Sequence, residues 1–242
     1  MKHLIGWTLG LAVSASAAAQ TLPTAPSGCA RDLAMRSYCS SYSAPPLRGP
    51  INVKFFAVVD KASYSNINSI LKRYTDFENW PEYVDATGRT DILFNTSKVL
   101  KPLPATDGNG EVMRHYADYR IDSVIGYQNV RVVTHNTLVD AYDGALRSLE
   151  FTAQNKGQQE VPTGEPALNG SIGVQSQTGN VHVVDCASSE LCSEDQYLLI
   201  YESTVTPDID LLPNLAARSI TRGIESLLIG MFLLGDADGD IL

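Results

Sequence analysis

The hydrophobic pattern in the first part of the chain predicts one strand followed by two short helices. Residues 51–60, "INVKFFAVVD", are rich in β-branched and aromatic side chains, which favours a strand. Apolar side chains then recur at helical spacing at Ile67, Ile70, Leu71 and Tyr74. Because proline interrupts a helix, the Trp80-Pro81 pair that follows predicts the start of a second short helix.

From Asp85 onward the pattern changes to a series of β-like segments. Clusters of Gly, Asp, Asn and Pro, which favour turns, separate six candidate strands. The candidates cover residues 88–100, 111–125, 127–140, 145–155, 172–185 and 195–206. Short connections between consecutive strands imply an antiparallel meander, and strands of this length suit a strongly curved sheet.

The β series is followed by one long amphipathic helix over residues 213–234. Arg218, Arg222 and Glu225 mark its polar face. Its apolar face consists of Leu215, Ala216, Ile220, Ile224, Leu227, Met231 and Leu234. Such a helix needs an apolar surface to pack against, and the order of elements predicts an α+β fold.

The N-terminus predicts export. It begins "MKHLIGWTLGLAVSASAAAQ", with one Lys, an apolar run from Leu4 to Val13 and small residues up to Ala19, which is the order of a secretory signal peptide. We expect cleavage of residues 1–19 before Gln20 and a periplasmic or secreted protein. The formal net charge is −9, and −10 once Lys2 is removed, which makes nucleic acid a poor partner. The later apolar runs are too short to span a bilayer, so we expect no stable membrane insertion.

The four cysteines form two close pairs. In an oxidising compartment an even count favours disulfides, and proximity favours Cys29–Cys39 and Cys186–Cys192 over the other connectivities. The spacings do not match a zinc site, so no metal is predicted. Residues 20–50 are rich in Pro, Ser and Ala, which predicts an N-terminal arm stapled by its own disulfide.

Two stretches resemble the helix-grip fold of the START/Bet v 1-like (SRPBCC) superfamily, in its polyketide-cyclase and coenzyme Q-binding branch. "DFENWPEYV" (76–84) is similar to the segment that closes the second short helix, and residues 197–228 are similar to the last strand and the gripping helix. The resemblance covers residues 51–234. It implies about seven strands curved around the C-terminal helix, with a deep apolar cavity between them. The leader, the stapled arm and an insertion at 157–170 depart from the family, and export suits a carrier better than an enzyme.

Alternation along the strands predicts which side chains face this cavity. In residues 113–121, His115, Ala117 and Tyr119 belong to the mostly apolar set, which we expect to point inward. In residues 127–135 the set with Val130 is placed inward, which sends Arg131 and His135 to solvent. His115 beside Tyr119 is the best candidate for a polar spot in an apolar pocket. The alternative is a buried histidine that only hydrogen-bonds a neighbour.

The candidate ligand-binding residues come from the second short helix, the strands and the C-terminal helix. They are Trp80, Tyr83, His115, Ala117, Tyr119, Phe151, Tyr201, Ile220, Ile224, Leu227 and Met231. Trp80 has the alternative of simply packing the junction between helix and sheet, since large aromatic residues are common in cores. No catalytic residue and no cofactor is assigned.

Three interpretations of the function stay open. The first is an exported binding protein that holds a hydrophobic small molecule such as a lipid, sterol, quinone or polyketide-like compound, with a transient partner in the cell envelope. The second is a cyclase/aromatase-type enzyme that uses His115 and Tyr119 as acid–base groups. The third is a structural or interaction module of the envelope whose cavity is filled by side chains. A small, closed pocket would be its sign.

Other motifs are discounted. The C-terminal residues 235–242 resemble the start of an EF-hand calcium loop, but the distal Glu that such a loop requires is missing. We therefore interpret them as an acidic tail. Asn95 and Asn169 begin N-glycosylation patterns that we interpret as accidental, since the leader has a bacterial character. The sequence contains no Gly-rich phosphate loop, no G-x-S-x-G elbow and no H-E-x-x-H motif.

Overall fold

The computed structural model of the protein describes residues 22–46, 49–64, 66–103, 111–123, 126–143, 145–168, 173–208 and 213–234. The predicted leader, the second N-glycosylation pattern and the acidic tail lie outside the described residues. Within these ranges no helix is long and apolar enough to cross a membrane.

One antiparallel sheet of eight strands dominates the structure. The strands are β1 (Tyr38–Ser43), β2 (Ile51–Asp60), β3 (Ile92–Leu103), β4 (Glu111–Ser123), β5 (Gly126–Asp143), β6 (Leu146–Asn155), β7 (Gly173–Asp185) and β8 (Gln196–Asp208). Their order in the sheet is β1-β2-β8-β7-β6-β5-β4-β3. The meander from β3 to β8 was predicted; β2 pairs with the last strand of that meander, in an antiparallel register that joins Ile51 to Val205.

In the described part of the chain, four α-helices accompany the sheet. They are α1 (Cys29–Arg36), α2 (Ile67–Thr75), α3 (Trp80–Ala86) and α4 (Pro213–Ile229), and α4 continues into a π-helical turn at Gly230–Leu234. The Asn66 side chain caps α2, because its Oδ1 accepts hydrogen bonds from the backbone N–H groups of Asn68 and Ser69 at 2.9 and 3.2 Å. Pro81 lies in the first turn of α3, where a missing N–H costs nothing.

The sheet curls around α4. This helix contacts β1 and β2 near one end of the strand order and β3 and β4 at the other end, which a flat sheet does not allow. The predicted α+β helix-grip architecture is therefore confirmed. The strand count is eight rather than about seven, because the N-terminal arm contributes β1 as an edge strand.

The main core fills the space between the inner face of the sheet and the helices. Phe55, Val181, Val183 and Leu199 contribute from the strands, and Leu228 from α4. Neighbouring residues on the same strands point to the outer face, as the period of two requires. Phe56, Val184, Leu198 and Ile200 thus form a second cluster outside the sheet.

Helix α1 and both disulfides cover this outer cluster. Cys29–Cys39 joins the start of α1 to β1, and Cys186–Cys192 closes the turn after β7. Cys29, Cys39 and Cys186 are buried in the cluster together with Leu33 of α1. The two predicted pairings are present in the structure, and each bridge acts locally.

The connection between β6 and β7 covers another part of the outer face, which corrects the expectation that Arg131 and His135 point to solvent. His135 Nε2 lies 2.6 Å from a carboxylate oxygen of Glu160, and Arg131 donates to the Ala167 carbonyl at 3.2 Å. Tyr116 is fully buried beneath the same segment and donates to the Pro166 carbonyl. Alternation identified the correct face but could not show that the insertion folds back over it.

Candidate ligand cavity

A cavity of about 120 Å³ lies between the inner face of strands β3 to β8 and helix α4. It is close in size to an engineered cavity of about 150 Å³ that binds benzene, and it is smaller than the roughly 300–1,000 Å³ of sites for drug-sized ligands. The conformation described here therefore admits a molecule of about one ring. A lipid, sterol or extended polyketide requires the surrounding elements to move apart.

Eight of the eleven predicted residues line this cavity. Trp80 comes from α3, and the four strand residues come from β4 and β8. The eight are Trp80, His115, Ala117, Tyr119, Tyr201, Ile220, Ile224 and Leu227. The period-two assignment of β4 and the apolar face of the last helix thus located the same space from opposite sides.

The other three predicted residues, Tyr83, Phe151 and Met231, do not line the cavity. The Tyr83 hydroxyl donates to Asp76 at 2.8 Å, so its polar end is engaged within the helical layer. Phe151 stacks on Tyr201 with ring centroids 5.8 Å apart. Met231 is completely buried in the π-helical turn. All three point into the core as expected, but neighbouring side chains pack around them, so they do not border the cavity.

Several cavity residues were missed. Ile92, Phe94, Ile121, Val132, Thr134, Asn136, Ala153, Val174, Gln177 and Val205 belong to the strands, and Tyr74, Gly223 and Leu228 belong to helices α2 and α4. Alternation along β3 and β5 carried a signal for Phe94 and Val132. Nothing local distinguishes Gly223 from a glycine on the helix surface.

Aromatic rings form one wall of the cavity. Trp80 lies 4.7 Å from Phe77, 6.4 Å from Phe94 and 6.3 Å from Tyr74, measured between ring centroids. Phe94 in turn lies 5.2 Å from Tyr119. The break at Trp80-Pro81 explains this arrangement, because starting α3 at Trp80 turns the indole ring towards the sheet. Trp80 is therefore both a packing residue and part of the cavity wall.

His115 is held by a short chain of hydrogen bonds. The Ser97 hydroxyl donates to the Phe77 carbonyl, and the Ser97 oxygen lies 2.8 Å from His115 Nε2. The imidazole stacks on Phe77 at 4.6 Å and meets the Trp80 ring edge-on at 5.3 Å. Burial away from water lowers the pKa of His115 to about 3, so the ring is neutral at ordinary pH.

The cavity tyrosines are neutral as well. Burial raises the pKa of Tyr119 to about 12, and burial also raises the pKa values of Tyr74 and Tyr201. The Tyr201 hydroxyl accepts a hydrogen bond from Gln177 Nε2 at 2.6 Å. Together with Thr134 and Asn136, these groups offer hydrogen bonds at fixed places in a mostly apolar wall.

The geometry does not favour His115 and Tyr119 as an acid–base pair on one reacting atom. They are four residues apart on β4, which separates their backbones by about 13 Å. An imidazole with a pKa near 3 is a weak base at neutral pH, and a phenol with a pKa near 12 is a weak acid. Among the described residues no group of three or more His, Cys, Asp or Glu side chains is placed to hold a metal ion.

No protein-family model and no curated protein matches this sequence. Solved structures that are similar to the chain include the lipid transfer and protein localization domain of human StarD13, with 14% identity over 79% of this chain and 84% of that one and a TM-score of 0.43.

Human STARD10 is similar over 88% of this chain and 82% of its own, with 10% identity and a TM-score of 0.46. The Zhui aromatase/cyclase from Streptomyces sp. R1128 is similar over 75% and 88%, with 11% identity and a TM-score of 0.40. START and aromatase/cyclase proteins are groups that the sequence resembles. At these identities and TM-scores the likeness concerns the order and arrangement of elements and carries nothing about the ligand.

Proposed function

We propose that this protein binds a small apolar molecule in the cavity between the sheet and α4, after export from the cytoplasm. The observation that carries the proposal is the cavity itself, with an apolar and aromatic wall and a few neutral polar groups at fixed positions. Native interiors are packed nearly without voids, so a space of this size within the core supports a role in binding.

The expected affinity follows from the area that a ligand buries. A single-ring molecule that buries about 200 Å² at about 25 cal/mol/Å² gains about 5 kcal/mol before the cost of association. A gain of about 5 kcal/mol corresponds to a dissociation constant of about 0.2 mM, so the association cost places single-ring probes in the millimolar range or weaker. A natural ligand that binds more tightly must be larger, and must displace the wall to enter.

Export is supported by the leader-like residues 1–19 and by the two disulfides, which persist in oxidising compartments. The mass of the protein recovered from a bacterial periplasm tests this directly. A mature chain that begins at Gln20 is expected, and an unprocessed chain confined to the cytoplasm would contradict it.

Ligand binding is tested by filling the cavity. Ala117 lines it and is almost fully buried, so Ala117→Phe adds a ring of the size of the expected probe. The wild-type protein should bind toluene in an NMR titration and the variant should not, whereas the control Ala62→Phe, on the exposed turn after β2, should behave as wild type. Native mass spectrometry of the purified protein then identifies any ligand that copurifies.

The small volume also fits the alternative of an envelope interaction module with a filled cavity. Failure of the wild-type protein to take up toluene, together with a ligand-free mass after purification, would favour that alternative. Retention of toluene by a folded Ala117→Phe variant would instead show that binding occurs at another place.

A further inference from the structure

The hydrogen-bond chain at His115 fixes which ring nitrogen carries the proton. A carbonyl oxygen can only accept a hydrogen bond, so the single hydroxyl proton of Ser97 is used in the hydrogen bond to the Phe77 carbonyl. The Ser97 oxygen can then only accept from His115, which means that Nε2 is protonated. Because burial keeps the imidazole neutral, Nδ1 has no proton and is a hydrogen-bond acceptor.

This acceptor has no partner among the described residues. The only hydrogen bond of His115 within them is the one to Ser97, although the side chain is 96% buried (4% exposed). Of the two rings packed on the imidazole, Phe77 has no hydrogen-bond donor, and the Trp80 indole N–H makes no hydrogen bond with the described residues. Polar atoms in native proteins are nearly always paired, and His115 lines the cavity, so a cavity occupant can supply the donor that Nδ1 lacks.

A ring that contacts the imidazole carries a donor without a partner among the described residues. The Trp80 indole nitrogen is buried and makes no hydrogen bond with the described residues, and its ring is in edge-on contact with the imidazole. A hydroxyl group can donate one hydrogen bond and accept another, whereas a carbonyl oxygen can only accept. The described residues that line the cavity include no Lys, Arg, Asp or Glu, so a charged group would lack a counterion among them.

We infer that the ligand of this cavity carries a neutral hydroxyl group, which donates to His115 Nδ1. The inference rests on the proposed function and narrows it from apolar molecules in general to hydroxylated ones. Ser97 is a positioning residue in this account, because it acts on the ligand only through the orientation and tautomer of the imidazole.

The protein contains a matched control for this pair. Ser148 Oγ lies 2.7 Å from His182 Nδ1, and both residues are as deeply buried as Ser97 and His115. The second pair lies on the outer face of the sheet, because Val181 and Val183 on either side of His182 belong to the inner core. Neither Ser148 nor His182 lines the cavity.

The experiment compares three probes of similar shape: phenol, which donates; benzaldehyde, which only accepts; and toluene, which does neither. Dissociation constants are measured by NMR titration for wild type, Ser97→Ala, Ser148→Ala and His115→Phe. We expect wild type and Ser148→Ala to prefer phenol over toluene and benzaldehyde roughly fivefold. Ser97→Ala should reduce this preference, and His115→Phe should abolish it while toluene still binds.

The ¹⁵N spectrum of His115 gives a readout that does not depend on affinity. In the ligand-free protein Nε2 should be protonated and Nδ1 should not, and phenol but not toluene should shift the Nδ1 resonance. If His115→Phe does not fold, this spectrum and Ser97→Ala still decide the matter.

The outcomes separate the inference from the function on which it rests. Equal binding of phenol and toluene, tighter binding of benzaldehyde, or a protonated Nδ1 in the ligand-free protein would overturn the inference and leave the cavity a binding site. Absence of binding by all three probes would overturn the proposed function itself.

Discussion

The space between the sheet and the last helix has an open half and a filled half. Beside the cavity, a Cβ atom added at Gly223 would have its nearest contact at 3.7 Å, on Ile92, which is ordinary packing. Two turns later along the chain, a Cβ atom at Gly230 would lie 1.9 Å from the Tyr83 carbonyl oxygen. The same helix therefore passes from a loosely walled region into backbone contact with α3.

The filled half also ties down the end of the helix. The Tyr64 hydroxyl donates to the Phe232 carbonyl at 2.8 Å, and Arg73 donates to the Met231 carbonyl at 3.4 Å. A buried guanidinium near carbonyls that end a helix also suits the helix dipole. One apolar helix face therefore has two roles: it anchors the helix where α2 and α3 fill the gap, and it forms a wall of the cavity where they leave the gap partly open.

The largest expected effect comes from truncating one buried side chain in each half and comparing the losses of stability. Met231→Ala should lower the free energy of unfolding by about 4 kcal/mol, because Met231 is completely enclosed. Ile220→Ala should cost about 2 kcal/mol, because Ile220 already borders empty space. Urea denaturation of both variants measures the two values, and equal losses would contradict the division into halves.

The second comparison adds a methyl group instead of removing one. Gly230→Ala should destabilise the protein by about 2–3 kcal/mol, because the backbone of α3 or of the π-helical turn must shift. Gly223→Ala is the matched change and should stabilise it by up to about 1 kcal/mol, since alanine favours a helix. Urea denaturation again provides the test, and a tolerated Gly230→Ala would show that the close approach to Tyr83 is absent.

The expected effect that is smallest per pH unit concerns protonation in the open half. Since the pKa of His115 is about 3 in the folded protein and about 6.5 in an unfolded chain, the unfolded state binds more protons between these values. Stability should therefore fall as the pH drops below 6.5, by up to about 1.4 kcal/mol per pH unit from this residue, and should not depend on it above that pH.

The measurement compares wild type with His115→Gln by urea denaturation between pH 7 and pH 4. Carboxylates titrate in both proteins, so the difference between the two curves isolates His115. Wild type should lose stability faster than the variant as the pH falls. Parallel curves would mean that water reaches the imidazole and that the open half is hydrated.

Local sequence patterns were sufficient to predict the helices and most strands, and to predict which side chains of each strand face the helices. The meander, the two short helices with a break at Trp80 and the last helix all lie where alternation, helical spacing and proline predicted them. His115, Ala117 and Tyr119 face inward because a strand has a period of two. The same reasoning did not predict β1, since "YCSSYS" is short and mostly polar and lies in the N-terminal arm.

The sequence by itself determined the kind of fold, the two close cysteine pairs and the side of each strand that meets the helix, because these depend on neighbours along the chain. Only the tertiary structure decided that Tyr83, Phe151 and Met231 are packed while Ile220 and Ile224 border a space. It also decided that Ser97 of β3 contacts His115 of β4, which lies 18 residues later in the chain. A cavity is the space left after side chains from distant parts of the sequence have packed, so a local hydrophobic period cannot predict where it lies.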